Sequence, residues 1–542
     1  MPTSATRRAL LPTPLEGWPL LALLAIYLLA GMYHIPWRGD DLTYLGPIQS
    51  ILSDGNWLVP RIAGEVFFEY PPLYYWIGAV LAKLFQWLLP VHDSARLASS
   101  LCTAASLYWT ALAARRLYGD SAFAPAILLG MGSIGLVVHA HETQPLLAQL
   151  AGMSLCYAGL AELGERPVRA GVQAGLGSSI AFLGGGLPGI FLTLPLFLLT
   201  PALCGNCRSL AVTKGIGVGI ALAALLCGAW VGALGILHPA ELAGWWQEEL
   251  ASSQPHSKHL AGVGSLFQLL GWFSWPLWPI AGWALWKNRR DLKTLRVAIP
   301  IISSVLALVL IISTGPLRPA SILPVLPPLT LLAALGVSTL RRGAANAFDW
   351  FGITAFVFFA MLVWVGWSAL YFGWPPGLGR LLMRQAPDLV RSPSVIAAVL
   401  GGIISASILA LPMLTLRTPM RGATNWAVGM TLLWCLAVML WQPWFEHTKN
   451  YKPVALELRK ALDAMPQSCI LRQGLDDTQR AALDYFAGLR TMHYSIATEC
   501  PMLLTYNSTD IPDELSGKWH ILWERRLGGG RKAETFRLYR RD

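Results

Sequence analysis

Long apolar runs recur along almost the whole chain, and short polar stretches separate them. A helix needs about 20 apolar residues to cross a bilayer. The runs predict spans at 17–36, 97–114, 121–138, 143–163, 171–183, 190–203, 215–236, 264–286, 297–313, 320–340, 348–372, 395–416 and 425–442. The pattern therefore predicts an α-helical polytopic membrane protein with about 13 transmembrane helices.

One apolar stretch, 71–90, is assigned differently. Aromatic residues dominate its start and Lys83 interrupts it, which favours a helix lying at the membrane surface. Counting it as a span would invert every later loop. We therefore assign residues 37–96 to one long outside loop that contains interfacial helices.

Composition and charge support this arrangement. The chain is 54% hydrophobic and only 13% charged, which excludes an ordinary soluble protein. Its net charge of +11 does not indicate nucleic-acid binding, because the basic residues are scattered between the apolar runs. With a cytoplasmic N-terminus, the basic clusters at 115–116, 287–296 and 341–342 fall inside, as the positive-inside rule requires.

The tail is less apolar and predicts a small α/β domain on the outside. Helical periodicity covers 451–465 and continues in 475–489, and short alternating runs of strand type follow. The predicted organisation is a transmembrane domain at 1–442 and an exported domain at 443–542. Export permits a disulfide between Cys469 and Cys500, the two cysteines of the tail.

Ionisable residues concentrate in the predicted outside loops rather than in the spans. The first outside loop contains Asp40, Asp41 and Glu69, and the next outside turn contains His139 and Glu142. Taken singly, such residues are typical of hydrated loops. A carboxylate at the membrane boundary is also suited to accept a proton from an incoming hydroxyl. This distribution favours an enzyme over a transporter or lipid flippase, because a transport pathway needs ionisable residues within the spans.

The third outside loop combines aromatic and basic residues. Trp245 and Trp246 are typical of the headgroup belt. The basic cluster of His256, Lys258 and His259 beside them is suited to bind a lipid phosphate.

Residues 40–76 read DDLTYLGPIQSILSDGNWLVPRIAGEVFFEYPPLYYW. This string resembles the first-loop signature of bacterial membrane glycosyltransferases related to protein O-mannosyltransferases and aminoarabinose (lipid A) transferases. The signature has an acidic pair and a tyrosine, then a G-[DN]-W-L-V-P-R segment, then F-E-K-P-P-L-x-Y-W. Residues 146–160, 181–196 and 317–335 resemble the family more faintly, and the predicted architecture suits it.

The resemblance implies a bacterial inner-membrane enzyme whose C-terminal domain is periplasmic. It implies inverting transfer of a monosaccharide from polyprenyl (undecaprenyl) phosphate to lipid A or LPS, another glycolipid or a protein. Asp40 matches the catalytic acid, and Asp41 and Glu142 are the other expected catalytic carboxylates. No cofactor is expected to be obligatory, although a divalent metal at these carboxylates and the nearby histidines stays an alternative.

A second set of residues is expected to bind the donor phosphate or the substrate. These residues are Arg61, Glu69, Tyr70, Tyr74, Lys258 and Arg318, with Arg380 and Arg384 as alternative sources of positive charge. Membrane lipids are further expected partners.

The chain departs from the family pattern at three places. Tyr70 replaces a lysine, 184–186 replaces the lysine of a helical hairpin with glycines, and Gln144 stands where a second aspartate is expected. These departures keep a catalytically inactive, glycolipid-binding relative as a further alternative.

Overall fold

The computed structural model describes residues 13–203, 209–252, 263–313, 318–387, 389–463, 469–494, 500–508, 515, 518–528 and 533–541. Seven helical stretches in these ranges are long and apolar enough to cross a membrane, and five shorter apolar helices accompany them. The prediction of a mostly helical chain with several apolar helices is confirmed, and the count of 13 spans stays a prediction.

The helices up to residue 203 are α1 (Gly17–Leu29), α2 (Asp40–Asp54), α3 (Leu73–Phe85), α4 (Val91–Tyr118), α5 (Phe123–Met131), α6 (Ile134–His139), α7 (Leu146–Ala161), α8 (Pro167–Gly185) and α9 (Leu187–Leu203). Those that follow are α10 (Leu210–Leu237), α11 (Pro239–Ser252), α12 (Val263–Phe273), α13 (Leu277–Lys287), α14 (Leu295–Ser313), α15 (Leu326–Val337), α16 (Arg342–Phe372), α17 (Pro376–Gln385), α18 (Val395–Leu414), α19 (Arg421–Thr448), α20 (Lys452–Asp463) and α21 (Asp477–Ala487). A 3₁₀ helix, Pro319–Val325, precedes α15.

Helix α3 lies within the stretch assigned to the membrane surface. Its 13 residues give a length of about 20 Å, which is short of the roughly 30 Å hydrocarbon layer. The length is compatible with an interfacial helix, and this assignment stays a prediction.

Several predicted spans contain breaks. The predicted span 121–138 is divided into α5 and α6, and the indole N–H of Trp426 donates a hydrogen bond to the carbonyl of Gly132 at the break (2.7 Å). The predicted span 264–286 is divided at Pro276, which lacks the N–H that a continuous helix requires. The break between α8 and α9 lies at Gly186, whose φ of +70° favours glycine.

Helices α7, α8 and α10 pack backbone against backbone. A Cβ atom added at Gly152 of α7 would lie 2.3 Å from the backbone nitrogen of Ala181 in α8. One added at Gly219 of α10 would lie 2.6 Å from the carbonyl oxygen of Gly171 in α8. Small residues allow such close approach between apolar helices, where van der Waals packing drives association.

The C-terminal part contains a five-stranded sheet with α20 and α21. Its strands, ordered β4-β3-β5-β7-β6, are β3 (Ile470–Gln473), β4 (Met492–His493), β5 (Met502–Tyr506), β6 (Trp519–Leu527) and β7 (Glu534–Arg541). Strand β3 pairs in parallel with β4 and β5, and β7 pairs antiparallel with β5 and β6. Asp476 caps α21 through a capping box, and Cys469 and Cys500 form the expected disulfide. The predicted elements of the tail are therefore present.

This C-terminal part packs directly on the first loop. Arg472 donates two hydrogen bonds to Glu65 (2.5 and 2.7 Å), and Arg480 contacts the same carboxylate at 2.9 Å. Glu65 lies in a short hairpin of β1 (Arg61–Ile62) and β2 (Glu65–Val66). Arg490 forms an ion pair with Asp54 at the end of α2 (2.8 Å). Helix α2 is thus attached to the tail, and the predicted boundary at 442/443 falls inside α19.

The α8–α10 packing can be tested with two glycines of one helix. Gly219→Ala should lower the free energy of unfolding by about 1–3 kcal/mol, because the new Cβ must push the α8 backbone away. Gly217→Ala is the matched control, since a Cβ there meets no atom of the described residues within 4 Å. It should be neutral or stabilising, as alanine is the better helix former. Thermal unfolding of the purified protein measures both, and equal effects would contradict the packing argument.

Candidate active site

Asp41, near the start of α2, is the most heavily hydrogen-bonded carboxylate of the site. Its oxygens accept two bonds from Arg96 (3.1 and 2.8 Å) and one from the backbone N–H of Trp37 (2.9 Å). The backbone N–H and the hydroxyl of Thr143 donate two more, at 2.8 and 2.9 Å. Burial alone would raise the pKa of Asp41, but the positive charge and hydrogen bonds of Arg96 hold it well below its usual range. Asp41 therefore stays ionised and has little capacity to take up a proton.

The arginine of this pair connects further segments. Arg96, in the second turn of α4, is completely buried. It also donates hydrogen bonds to the carbonyl oxygens of Met32 (3.0 Å) and His34 (2.7 Å) and to Asp93 (2.9 Å). The Asp41–Arg96 pair therefore joins the end of α1, the start of α2, α4 and the turn before α7.

Asp40 has a different environment. It is half-buried, and within the described part of the chain its carboxylate accepts one hydrogen bond, from the side-chain amide of Gln144 (3.2 Å). Gln144, the residue that replaces the expected second aspartate, is buried. The adjacent aspartates thus differ in environment: the carboxylate of Asp41 is saturated with hydrogen bonds, whereas that of Asp40 keeps acceptor capacity.

The predicted residues Glu142 and Tyr74 lie around the same turn. The Glu142 carboxylate contacts His139 Nδ1 at 3.2 Å and is 16% exposed. The buried hydroxyl of Tyr74 accepts a bond from the backbone N–H of Gln144 (3.1 Å) and shares one with Ser99 (2.6 Å). Tyr74 therefore holds the 142–146 segment in place, and its expected role in binding the substrate stays a prediction.

Glu69, Tyr70 and Arg318 form a second predicted group that the structure brings together. Oε1 of Glu69 accepts hydrogen bonds from Arg318 (2.7 Å) and from the hydroxyl of Tyr44 (3.2 Å). The Tyr70 ring packs against Tyr44 with 5.5 Å between the ring centres. Burial raises the pKa of Glu69, and the negative charge of Asp40 adds to this, while Arg318 opposes it. Asp40 and the Glu69–Arg318 pair are therefore close enough to influence each other electrostatically.

This second group borders a cavity of about 540 Å³, a volume typical of small-molecule sites. Its polar lining comprises Glu69, Tyr70, Gln149, Glu248, Glu249, Arg318, Ser321 and Asp477. Apolar side chains from 66–68, 310–311 and neighbouring segments complete the wall. Arg318 is the single cation among the described lining residues.

The cavity also contains residues that sequence reasoning missed. Gln149 follows the predicted turn, Glu248 and Glu249 lie in the WWQEEL stretch, and Asp477 belongs to the tail. A single carboxylate or amide on a helix has no local signal that connects it with a loop that is distant in the sequence. The glutamate pair beside Trp245 was the one usable hint.

The remaining predicted cations lie elsewhere. Arg61 donates to the carbonyl of Gly64 (3.2 Å) and pairs with Glu241 of α11 (3.4 Å), so it connects the β1–β2 hairpin with α11. Arg380 and Arg384 are exposed on α17. Lys258 lies outside the described residues, as do His256 and His259.

The described part of the chain contains no group of three or more His, Cys, Asp or Glu side chains arranged to hold a metal ion. That no divalent metal is obligatory stays a prediction.

Sequence comparison finds relatives of one functional kind. A 129-residue segment is 35% identical to undecaprenyl phosphate-α-4-amino-4-deoxy-L-arabinose arabinosyl transferase 1 of Pseudomonas fluorescens (strain Pf0-1), covering 23% of this chain and 22% of that protein. A 273-residue segment is 29% identical to the transferase of that name from Pseudomonas aeruginosa (strain UCBPP-PA14), covering 48% of this chain and 46% of the relative. The chain thus spans between about a fifth and a half of the length of these curated relatives. It matches no protein-family model.

Structural similarity extends over the whole chain. The crystal structure of ArnT from Cupriavidus metallidurans bound to undecaprenyl phosphate matches with a TM-score of 0.69 and 16% identity, over 96% of this chain and 97% of that one. This chain has the ArnT fold. The apo state of that ArnT matches with a TM-score of 0.66. The resemblance stated from residues 40–76 is confirmed. At 16% identity the ArnT likeness establishes the fold alone, so the role of each residue depends on geometry.

The structural role of Asp41 in this ArnT-like fold can be tested. Asp41→Asn should lower the free energy of unfolding by about 3–5 kcal/mol, because it leaves the charge of buried Arg96 without its main partner. Asp54→Asn is the matched control at the other end of α2. Its carboxylate pairs with Arg490 but is 28% exposed, so a loss below about 1 kcal/mol is expected. Chemical denaturation measures both, and equal losses would contradict the assignment.

Proposed function

We propose that the chain is an inverting glycosyltransferase that moves a monosaccharide from a polyprenyl phosphate, such as undecaprenyl phosphate, to an acceptor. The observation that carries this proposal is the difference in environment between the adjacent aspartates Asp40 and Asp41. Asp41 is locked in a buried ion pair, while Asp40 is half-buried, retains acceptor capacity and interacts electrostatically with the Glu69–Arg318 pair at the cavity. The undecaprenyl phosphate named in the relatives and in the ArnT structure supports the donor class.

The proposed reaction is a displacement at the anomeric carbon. The acceptor oxygen forms the new bond to this carbon as the bond to the phosphate oxygen breaks, and the phosphate leaves with the electron pair. Asp40 accepts the proton of an acceptor hydroxyl, and Arg318 stabilises the departing phosphate. If the acceptor nucleophile is itself a phosphate, it carries no proton to remove, and Asp40 orients it.

The location is part of the proposal. Apolar helices and the ArnT fold support a bacterial inner-membrane protein. We propose a cytoplasmic N-terminus and a periplasmic C-terminal part, which place the cavity at the outer boundary of the membrane, among its lipids. Lipid A or LPS is the preferred acceptor class because residues 40–76 resemble the signature of aminoarabinose (lipid A) transferases, with another glycolipid or a protein as alternatives.

The proposal predicts the effect of removing the negative charge of Asp40. Asp40→Asn should lower turnover of a hydroxyl acceptor by about 10²–10⁴-fold, because that acceptor loses its general base, while undecaprenyl phosphate binding persists. A phosphate acceptor needs no base, so its turnover should fall by less. The assay incubates purified protein with polyprenyl phosphate sugars and lipid A, then detects headgroup loss and acceptor gain by mass spectrometry. Asp54→Asn, which makes the same change at the far end of α2, should keep its activity.

Two outcomes would contradict this proposal. One is that no polyprenyl phosphate sugar is consumed with lipid A, another glycolipid or a protein as acceptor, which would favour the inactive relative. The other is full turnover by Asp40→Asn. Flipping of the donor lipid across vesicles by the wild type and by Asp40→Asn, without sugar transfer, would indicate the transporter alternative instead.

A further prediction concerns the phosphate. Arg318→Gln should raise the KM for the donor by about tenfold or more, because the cavity loses the one cation of its described lining and Glu69 loses its ion-pair partner. Arg380→Gln removes an exposed arginine from α17 and serves as the control, with no expected change. Steady-state kinetics at varied donor concentration measure both variants. An unchanged KM for Arg318→Gln would place the phosphate elsewhere.

A further inference from the structure

Gln149, in the first turn of α7, has a buried amide that makes no hydrogen bond to the described residues. Its side chain is 1% exposed, and neither Nε2 nor Oε1 has a partner in the described part of the chain. Burying an amide without a partner is costly, and such groups are rare in folded proteins. We therefore expect a ligand to supply the missing hydrogen bonds of the Gln149 amide.

The position of Gln149 points to that ligand. Gln149 lies in the wall of the cavity together with Gly185, the last residue of α8. A Cβ added to residue 185 would lie 2.2 Å from Oε1 of Gln149. The space for the amide therefore exists because residue 185 is a glycine. The glycines at 184–186, which replace the family's hairpin lysine, thus leave space for the neutral amide of Gln149.

Glu249, from α11, lies at the same break between α8 and α9. Its carboxylate accepts a hydrogen bond from the backbone N–H of Leu187 (2.6 Å) and packs against Gly186. Burial raises the pKa of Glu249 to about 7. Gln149 and Glu249 thus contact adjacent residues of one hairpin, and both line the cavity.

The charges of the lining separate two kinds of subsite. The described lining contains four carboxylates, Glu69, Glu248, Glu249 and Asp477, and one cation, Arg318. A phosphate is attracted to Arg318 and repelled by carboxylates. The neighbourhood of Gln149 and Glu249 instead suits hydroxyl groups, because an amide donates and accepts hydrogen bonds and a carboxyl group accepts them from O–H donors.

We propose that Gln149 and Glu249 form a sugar subsite in which the Gln149 amide hydrogen-bonds the hydroxyls of a sugar ring, an inference that rests on the proposed function. The ring belongs either to the polyprenyl phosphate donor or to a glycolipid acceptor. The chemistry is the same in both cases. Gln149 is then a residue that determines sugar specificity, and Gly185 is the position that gives its side chain room.

Two binding experiments test this subsite without requiring turnover. Gln149→Met keeps the side-chain length and removes the amide. It should weaken the binding of either undecaprenyl phosphate-linked 4-amino-4-deoxy-L-arabinose or lipid A by about tenfold, and it should leave the affinity for bare undecaprenyl phosphate unchanged. A loss of affinity for the first probe assigns the subsite to the donor sugar, and a loss of affinity for lipid A assigns it to the acceptor sugar. Gly185→Ala should produce the same loss by displacing the amide.

Thermal unfolding separates a binding role from a structural one. Gln149→Met should leave Tm unchanged or raise it, because it removes an unpartnered buried amide. Gln173→Met is the matched control. Its amide oxygen accepts a hydrogen bond from Arg116 (2.8 Å), so Tm should fall while the affinity for all three lipids stays the same.

The proposal is overturned if Gln149→Met binds all three lipids as the wild type does, or if it lowers Tm as the control does. It is also overturned if the wild type shows no preference for the sugar-linked donor over bare undecaprenyl phosphate and does not bind lipid A. If no sugar is transferred to any acceptor but Gln149→Met still weakens the binding of a sugar-bearing lipid, the proposed function fails and the sugar subsite remains.

Discussion

The buried ion pair between Asp41 and Arg96 is the constraint on which the site depends. Two charges inside a protein are stable only when their remaining hydrogen-bonding capacity is also satisfied. Here that capacity is satisfied by the backbone of the α1–α2 connection, by Thr143 and by Asp93. Each of these segments must therefore adopt its native position, because the buried ion pair would otherwise lack hydrogen-bond partners. Asp40, the neighbouring residue, is held at the start of α2 as a result, and it does not need to be buried in the same way.

A second set of charges holds the other side of the first loop. Glu65 pairs with Arg472 and Arg480, and Asp54 pairs with Arg490, so the ends of α2 and of the β1–β2 hairpin are attached to the C-terminal sheet. Asp477 of α21 reaches the cavity. The tail thus forms part of the wall of the site. Because the loop is held from both sides, its carboxylates are pre-organised, which reduces the reorganisation needed during catalysis.

The described lining of the cavity contains more carboxylates than cations. Tyr70 stands where the family signature has a lysine, and glycines replace the hairpin lysine. Arg318, paired with Glu69, is the cation that remains in the described lining. The glycines leave room for the amide of Gln149, and Glu249 binds the start of α9. On the proposed function, the departures from the family pattern leave one cation in the described lining for the phosphate and place neutral and acidic groups, which suit hydroxyls, in the same cavity.

The amino-acid sequence by itself determined the local features of this protein. Apolar run length and periodicity predicted the apolar helices, the helices and strands of the tail were predicted from the same signals, and the string 40–76 identified the loop. The disulfide pairing followed from there being two cysteines in the tail. Only the tertiary structure decided which of two adjacent aspartates is saturated, because Arg96 and Thr143, two of the partners of Asp41, lie 55 and 102 residues away from it. It likewise connected the hydroxyl of Tyr74 with Ser99 and Gln144 and brought Gln149 into the cavity wall. Local patterns report secondary structure and burial, whereas solvation and hydrogen bonding of a single side chain depend on segments that meet only after folding.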